Sequence, residues 1–429
     1  MLPSSLCIDL GSAYTKIGFR ETPFSRSRLL SLNELSLDDQ HVCIPSVAAW
    51  RERDDRWAFG IEAADMVAGN GIHVYRNWKA DLFPDGPGAG NPWDLLGEDA
   101  HEGLRDGPGS YARARNVAAR YLGWLRQDLV PRMIPGQDLG KVVMRICIPE
   151  FAMFSPHAAE MDRMLDEAGW HHPASYCCSE PMSNLTGALT QGHNAVLEPQ
   201  PGKLFADVPK MFERSHLLEM AAVCQEGDEG DVPEYATLIV DVGAYTTDFG
   251  LISIDLAGHG FVPISETKSV PLGIHELDRR VIEVLPEPMA DQARRFTGAA
   301  WERFHRVVYT EEREWTLPAG GAVNGSAAER ARIRTVMDRF SGGIAAAMDA
   351  FLRLHRPTRV QEVILTGGGN NIPALTARLR MALAPWGVST VYLPKAGAPL
   401  GGTRQVEIVP GVVRGASAVG GSSVLFDLA

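Results

Sequence analysis

Two short stretches of the chain share one pattern of apolar and polar positions. Leu6–Phe19 (LCIDLGSAYTKIGF) aligns without a gap with Leu238–Leu251 (LIVDVGAYTTDFGL). Each stretch begins with an apolar run that ends at an aspartate, Asp9 or Asp241, and a glycine follows shortly after it. An apolar run, a glycine turn and a second run rich in β-branched residues are typical of a β-hairpin. The repeat therefore predicts two related hairpins, one in each half of the chain.

The rest of the hydrophobic pattern alternates between strand-like runs and helical periodicity. Buried strands are predicted at Val142–Ile148 and Val360–Leu365. Helices are predicted from Ser155 and Pro156 to Gly169, from Pro373 through Leu383, at His275–Leu285 and at Ile344–Leu354. Strands that alternate with helices predict an α/β fold in both halves.

Three stretches interrupt this alternation, and we interpret them as surface insertions. They are the Gly/Pro-rich run 83–110, the run 192–234 with its acidic end, and the Gly-rich run 319–326. We therefore expect a first lobe over 1–185, an inserted acidic connector over 186–234, and a second lobe over 235–429. The last helix of the second lobe is expected to return toward the first.

Composition narrows the classes of partner. The chain has 429 residues, 45% hydrophobic and 22% charged, and a formal net charge of -12. An acidic chain has no general attraction for nucleic acid or anionic lipid, so we expect neither nucleic-acid binding nor membrane insertion. The six cysteines show no disulfide spacing, and most lie in or beside apolar runs, which favours a reducing cytoplasm.

The hairpins also predict a chemistry. A strand-end aspartate beside a glycine turn can hold hydrated magnesium, while the amide groups of the turn bind phosphate oxygens. Two such hairpins facing each other across a cleft would bind a triphosphate from both sides and bring Asp9 and Asp241 to one metal ion. Other chemistries have weaker signals: the group His171, His172, Cys177 and Cys178 lacks the two-residue spacer of ordinary zinc sites.

The motifs resemble those of the actin-like ATPase superfamily, which includes actins, the nucleotide-binding domains of heat-shock chaperones, and sugar kinases. The two hairpin segments resemble its two phosphate motifs, and VILTGGGNNIPAL resembles its adenosine motif, in the same order. SEPMSNLTGAL is similar to the first connecting helix of the chaperones, and PLGIHELDRRV to the segment after their second hairpin. The resemblance implies a two-lobed actin-like ATPase fold: duplicated ribonuclease-H-like domains with a nucleotide cleft between them, binding ATP and Mg2+.

Roles for individual residues follow from the same resemblance. Glu180 is implied to orient the attacking water, with Asp9 and Asp241 as its catalytic partners, and Asp248 joins these two aspartates near the metal. The implied ATP contacts are the two turns, two lysines and the glycines around the base: Gly11, Ser12, Ala13, Tyr14, Lys16, Lys79, Gly243, Ala244, Tyr245, Thr246, Gly273, Gly367, Gly368 and Gly369.

Several of these positions have an ordinary structural explanation as well. Lys16 could face solvent from its strand, and Lys79 could be a solvated lysine in a charged segment. Asp248 could cap its hairpin, and Glu180 could be a solvated residue at a helix start. Chaperones often have consecutive glycines where this chain has Ala244-Tyr245, whose side chains could narrow the approach of the phosphates.

The expected function is that of a Mg-ATP-binding ATPase that acts as a nucleotide-dependent conformational switch with a protein partner. One alternative is a filament-forming bacterial-type actin that self-assembles. A second is a small-molecule kinase of the sugar or acetate type, for which the sequence shows no aspartate base facing a substrate pocket. A nucleotide-binding protein that has lost hydrolysis is the third.

Overall fold

The structure is a computed structural model, and it leaves the two longer predicted insertions almost entirely outside the residues that it describes. Of the run 83–110 only the two ends are described, and the run 192–234 is not described. The described residues are 4–22, 27–32, 42–83, 110–153, 155–170, 175–191, 235–255, 262–294, 298–317, 321–355, 357, 360–394, 403–408 and 410–422.

Strands occur in both halves of the chain. They are β1 (Ser5–Leu10), β2 (Tyr14–Arg20), β3 (Arg28–Leu29), β4 (Ile44–Pro45), β5 (Ala48–Arg51), β6 (Arg56–Phe59), β7 (Ile72–Tyr75), β8 (Val143–Ile148), β9 (Cys177–Ser179), β10 (Tyr235–Val242), β11 (Thr247–Asp255), β12 (Val262–Val270), β13 (Trp315–Thr316), β14 (Ala322–Val323), β15 (Glu362–Thr366), β16 (Thr390–Leu393) and β17 (Arg404–Glu407).

Helices lie between strands in both halves of the chain. They are α1 (Gly60–Ala64), α2 (Trp78–Leu82), α3 (Ser110–Trp124), α4 (Val130–Met133), α5 (Pro156–Glu167), α6 (Glu180–Gln191), α7 (Ile274–Val284), α8 (Glu287–Ala293), α9 (Gly298–Phe304), α10 (Ala327–His355), α11 (Pro373–Leu383) and α12 (Pro410–Gly421). None of the helices in the described ranges is both long enough and apolar enough to cross a bilayer. The predicted α/β class is confirmed.

The two six-stranded sheets share the order of five of their strands. The first runs β3–β2–β1–β8–β9, with β4 attached to β2, and the second runs β12–β11–β10–β15–β16–β17. In each, a hairpin is extended by a third strand on one side and by parallel strands on the other. A separate three-stranded sheet, β6–β5–β7, follows the first hairpin.

Both predicted hairpins are present, and they have equivalent registers. Leu10 pairs with Thr15 at the end of the first hairpin, and Val242 pairs with Thr247 at the end of the second. Asp9 and Asp241 therefore occupy the same position in their own hairpins, since each is the second-to-last residue of its first strand.

Apolar side chains pack each large sheet against helices. Beneath the first sheet, α3 and α5 supply buried residues such as Tyr121, Leu122 and Leu165. Beneath the second, α7, α10 and α11 supply Leu277, Phe351 and many others. Because each sheet has its own large cluster, the two hairpins are held by separate cores.

The predicted helix starts are largely confirmed, since α5 begins at Pro156 and α11 at Pro373. The side chain of Ser155 accepts a hydrogen bond from the His157 amide, as an N-cap residue does. The helix predicted at Ile344–Leu354 is only the last part of α10, because buried residues such as Ile333 continue its apolar face upstream.

Two predicted boundaries are wrong. The run 319–326 was expected to be a loop, but its residues Ala322–Val323 form β14, which pairs with β13. The connector was expected to begin at 186, but α6 continues unbroken to Gln191.

Glycines allow the last helix, α12, to lie directly against α6 and β2. A β-carbon on Gly187 of α6 would lie 1.9 Å from the Ala416 carbonyl oxygen, and one on Gly420 of α12 would lie 1.8 Å from the Ser183 carbonyl oxygen. On β2, a β-carbon at Gly18 would lie 2.1 Å from the carbonyl oxygen of Ala418. No side chain fits at these three positions, so the C-terminal helix contacts the N-terminal sheet through bare backbone.

Replacing Gly420 by alanine should therefore destabilise the protein, although alanine favours helices. We expect the overpacked crossing to cost about 1–3 kcal/mol in the free energy of unfolding, measured by urea denaturation. Gly342→Ala is the matched control, because nothing lies within 4 Å of that position in α10, and it should gain up to about 1 kcal/mol. Equal changes in the free energy of unfolding for the two variants would contradict the close backbone contact between α6 and α12.

Candidate functional site

The two hairpin turns end strands β1 and β10, and local packing determines their shape. A β-carbon on Gly11 would lie 2.4 Å from the Tyr14 carbonyl oxygen, so the first turn requires glycine. In the second turn the Gly243 amide donates to the Thr246 carbonyl oxygen at 2.9 Å. Both turns thus close tightly beside a strand-end aspartate.

Lys16 lies over Asp9 rather than in solvent. The two residues are cross-strand partners in the first hairpin, and Lys16 Nζ donates to Asp9 Oδ2 at 2.8 Å. Burial acts to lower the pKa of Lys16, but the charges of Asp9, Cys43 and Asp241 raise it above its ordinary value. Lys16 therefore stays protonated and faces the charges of both hairpins.

A second ion pair joins Lys79 of α2 to Glu180, the first residue of α6. Both side chains are more than nine-tenths buried. Burial raises the pKa of Glu180 to about 8; Lys79 counteracts this, and the charges of Asp248 and Asp9 add to it. The structure therefore excludes the solvated alternative for both residues, and it places Glu180 within reach of charges from both hairpins.

Asn184, which the sequence interpretation missed, connects the two halves at Asp241. Its amide nitrogen donates to Asp241 Oδ2 and, at 3.2 Å, to the Ser417 hydroxyl. Its amide oxygen accepts from the Thr366 hydroxyl at 3.1 Å. The available signal was spacing: Asn184 lies four residues after Glu180, on the same face of α6.

Asp248 lies beside the same cluster but within its own hairpin network. Its carboxylate accepts hydrogen bonds from the Thr246 and Ser269 hydroxyl groups, as the capping alternative expects. Burial, followed by the charge of Asp241, raises the pKa of Asp248 to about 7. Burial also raises the pKa of Asp241 to about 7; Lys16 opposes this shift, while Asp9 and Glu180 increase it.

The glycines near the implied base pocket mostly face the protein itself. A β-carbon on Gly367, where φ is +82°, would lie 2.1 Å from Asp241 Oδ1, and one on Gly369 would lie 2.4 Å from a methyl group of Val242. Gly273 is similarly close to the second turn, 2.4 Å from the Ala244 carbonyl oxygen. Gly368 is exposed with open space beside it. Of the four glycines predicted around the base, it is therefore the one whose backbone is open to a ligand.

A cavity of about 170 Å³, partly open to solvent, lies between the first turn and helices α7 to α9. The Ser12 hydroxyl and His275 Nε2 are buried there without a hydrogen-bond partner in the described structure. The hydroxyl of Tyr14 contacts Glu302 of α9 across it. Its lining residues include three basic ones and no Asp or Glu within the described ranges: Ser12, Ala13, Tyr14, Pro45, Val47, Ala64, Arg76, Asn77, His275, Ile282, Ala293, Arg294 and Trp301.

The donor set suits magnesium and phosphate together. Asp9, Asp241 and Asp248 provide the carboxylate oxygens that Mg2+ prefers, and with Glu180 they outnumber the nearby lysines. The buried, unpartnered Ser12 hydroxyl can donate to a phosphate oxygen. The residue types therefore fit phosphate and a hydrated magnesium ion, although in the described part of the chain the oxygen atoms of the three aspartates do not converge into a preformed set of direct metal ligands.

Comparison of the chain with protein-family models gave no matching family, and comparison with curated proteins gave no similar sequence. A functional assignment therefore depends on the geometry of the site and on the motif resemblance.

The raised carboxyl pKa values predict how stability changes with pH. Between about pH 5 and pH 8 the folded protein retains protons on Glu180, Asp241 and Asp248 that the unfolded chain has lost. Raising the pH through this window should therefore lower the free energy of unfolding, by up to about 1.4 kcal/mol per pH unit for each retained proton.

Asp248→Asn should make this decrease shallower, because it removes one of the titrating groups while keeping a hydrogen-bond acceptor. Urea denaturation at several pH values measures the slope. Asp54→Asn, at an exposed position whose pKa is lowered by Arg51, should leave the slope unchanged. A slope for Asp248→Asn equal to that of the wild type would show that Asp248 ionises normally.

Proposed function

We propose that this protein is a Mg-ATP-binding ATPase with a two-lobed actin-like fold, working as a nucleotide-dependent conformational switch with a protein partner. The observation that carries the proposal is the pair of hairpins in equivalent register. Their strand-end aspartates, Asp9 and Asp241, lie in one buried cluster of carboxylates and lysines. Burial raises the pKa of Asp241, and the charge of Asp9 adds to this rise.

The topology supports the same proposal. Five strands follow the same order in both large sheets, as expected for the duplicated ribonuclease-H-like domains that the motif resemblance implies. The elements similar to the family's connecting helix and adenosine motif are α6 and the turn between β15 and α11. Both adjoin Asp241, through Asn184 and Gly367.

Binding would use groups that the site already presents. Magnesium, when bound, neutralises phosphate charge and polarises the terminal phosphoryl group. Asp9 and Asp241 would hold the hydrated ion, and Lys16 would exchange its ion pair with Asp9 for a contact with phosphate. The Ser12 hydroxyl and the amide groups of the two turns would donate to phosphate oxygens.

Glu180 is the group proposed to orient the attacking water. In its carboxylate form it can accept a hydrogen bond from water and hold that water in line with the terminal phosphate. The ion pair with Lys79 fixes the direction of the Glu180 side chain and favours the ionised form. Positioning of this kind requires no covalent intermediate on the protein.

Contacts between the two halves support the switch. Asn184 in the first half hydrogen-bonds Asp241 and Thr366 in the second, and Tyr14 contacts Glu302. A ligand that binds both turns would favour the arrangement in which these contacts form, and loss of the terminal phosphate would remove part of that preference.

The alternatives have less support. The cavity beside Ser12 could hold the substrate of a small-molecule kinase, but its lining includes no carboxylate base among the described residues. A filament-forming actin stays a prediction; sedimentation with and without a nonhydrolysable ATP analogue tests it, because only self-assembly moves the protein to the pellet.

Asp9→Asn and Asp241→Asn should each abolish the rise in melting temperature that Mg-ATP causes. A ligand at a hundred times its dissociation constant stabilises the folded state by about 2.7 kcal/mol, so the wild-type rise is measurable by calorimetry. Asp54→Asn, exposed on the small sheet, is the control and should keep the full rise. An undiminished rise in both site variants would place the nucleotide elsewhere.

Glu180→Gln should keep the Mg-ATP-induced rise and lose turnover by at least about 100-fold, since glutamine retains an acceptor for Lys79 but orients water poorly. Phosphate release measures the rate, and the exposed Glu62→Gln variant is the control. Turnover at the wild-type rate would remove Glu180 from the mechanism.

A further inference from the structure

Three cysteine thiols meet behind the carboxylate cluster. Cys7 of β1, Cys147 of β8 and Cys178 of β9 come from three adjacent strands of the first sheet. Their sulfur atoms are separated by 3.5 Å (Cys7–Cys147), 3.7 Å (Cys147–Cys178) and 4.0 Å (Cys7–Cys178). All three side chains are buried, and they form a cluster of their own, apart from the large apolar cores.

The dimensions of this triangle match a metal ion held by three thiolates. An ion at its centre would lie about 2.2 Å from each sulfur, close to the 2.3 Å of a zinc–thiolate bond. Among the described residues no fourth side-chain ligand joins the three sulfur atoms, which is unfavourable for a structural Zn2+ site because such sites are four-coordinate. Thiolates bind Cu(I), Zn2+ and iron–sulfur clusters, and the set of only three sulfur ligands favours Cu(I) over the four-ligand alternatives.

A buried cation adjoins the cluster. Arg145 is the register partner of Cys7 between β1 and β8, and its buried guanidinium group donates to the Gly421 carbonyl oxygen at 3.1 Å. A β-carbon on Gly421 would lie 2.3 Å from the Cys7 sulfur, so bare backbone closes over the site.

The end of α12 covers the site. The Gly421 carbonyl oxygen accepts from Arg145, and the Ser422 carbonyl oxygen accepts from Ser5 and Arg20. Entry of an ion past this end therefore requires these hydrogen bonds to open.

We propose that Cys7, Cys147 and Cys178 form a trigonal thiolate site for Cu(I). Binding exchanges three S–H bonds for three S–Cu bonds and releases the protons to solvent. The copper is supplied as Cu(I), so no oxidant or reductant takes part. The site does not depend on the nucleotide proposal, and it connects the three strands that lead to Asp9, Glu150 and Glu180.

The test is an anaerobic titration of the full chain with Cu(I), supplied as its acetonitrile complex, in competition with a chromogenic Cu(I) chelator. We expect one equivalent to be retained. X-ray absorption should show three sulfur neighbours. Zn2+ should bind more weakly than Cu(I) at this site, because a fourth ligand is lacking.

The control variant removes every cysteine outside the cluster: Cys43→Ser, Cys177→Ser and Cys224→Ser together. It should retain one equivalent with the same three-sulfur signature. Cys177 is the most informative of these, because it adjoins Cys178 but its sulfur faces Asp162 on the other side of the sheet.

Cys147→Ser should lower the Cu(I) affinity by more than about tenfold while the far-ultraviolet circular dichroism stays that of the wild type. If this variant fails to fold, the three-sulfur signature of the control variant decides the question. Failure of the folded wild type to retain Cu(I), retention undiminished by Cys147→Ser, or tighter retention of Zn2+ would overturn the proposal and leave three packed thiols.

Discussion

The arrangement of the molecule depends on burying more negative than positive charge at the ends of β1 and β10. Carboxylates removed from water are costly unless cations or hydrogen-bond donors compensate them. Lys16 and Lys79 pair with two of the four, but burial raises the pKa values of Glu180, Asp241 and Asp248, so the two lysines do not balance the cluster fully. A site with this imbalance is stabilised by a bound cation, which is the physical basis of the proposed magnesium requirement.

Close packing between helix backbones positions two polar side chains beside the site. Because Gly187 and Gly420 carry no side chains, α6 and α12 approach closely enough for Asn184 and Ser417 to hydrogen-bond each other. Asn184 then reaches Asp241 across the boundary between the two sheets. Contacts between helix backbones thus determine the orientation of a carboxylate in the second hairpin.

The hairpins could be predicted from sequence because their information is local. A two-residue side-chain period, an aspartate and a turn glycine specify each hairpin, and the gap-free repeat sets the equivalent register. Glu180 and Lys79 were predicted as site residues only through the resemblance, because no pattern in the sequence around either residue indicates that they lie together. Their ion pair becomes possible because α2 packs against α3 in the core of the first sheet, which places Lys79 opposite the start of α6.

The remaining features depend on long-range packing. Asn184 appears in the sequence as one polar residue in a helix, and its three partners come from other elements. Gly367 and Gly369 look like open backbone in a glycine-rich turn, but the turn folds onto β10 and leaves only Gly368 open. The beginning of α10 was missed although Ile333, Met337 and Phe340 continue its apolar face upstream of Ile344 at helical spacing, so this part of the helix was predictable from the sequence.

The central claim is that both hairpin turns contact one nucleotide. Hydrogen–deuterium exchange with and without Mg2+ and a nonhydrolysable ATP analogue tests it most directly, because it reports on the amide groups of both turns in one experiment. The account predicts that the nucleotide slows hydrogen exchange at the backbone amides of both turns, residues 11–14 and 243–246, at the same time. Protection of one turn alone, or of neither while the analogue is bound, would contradict it.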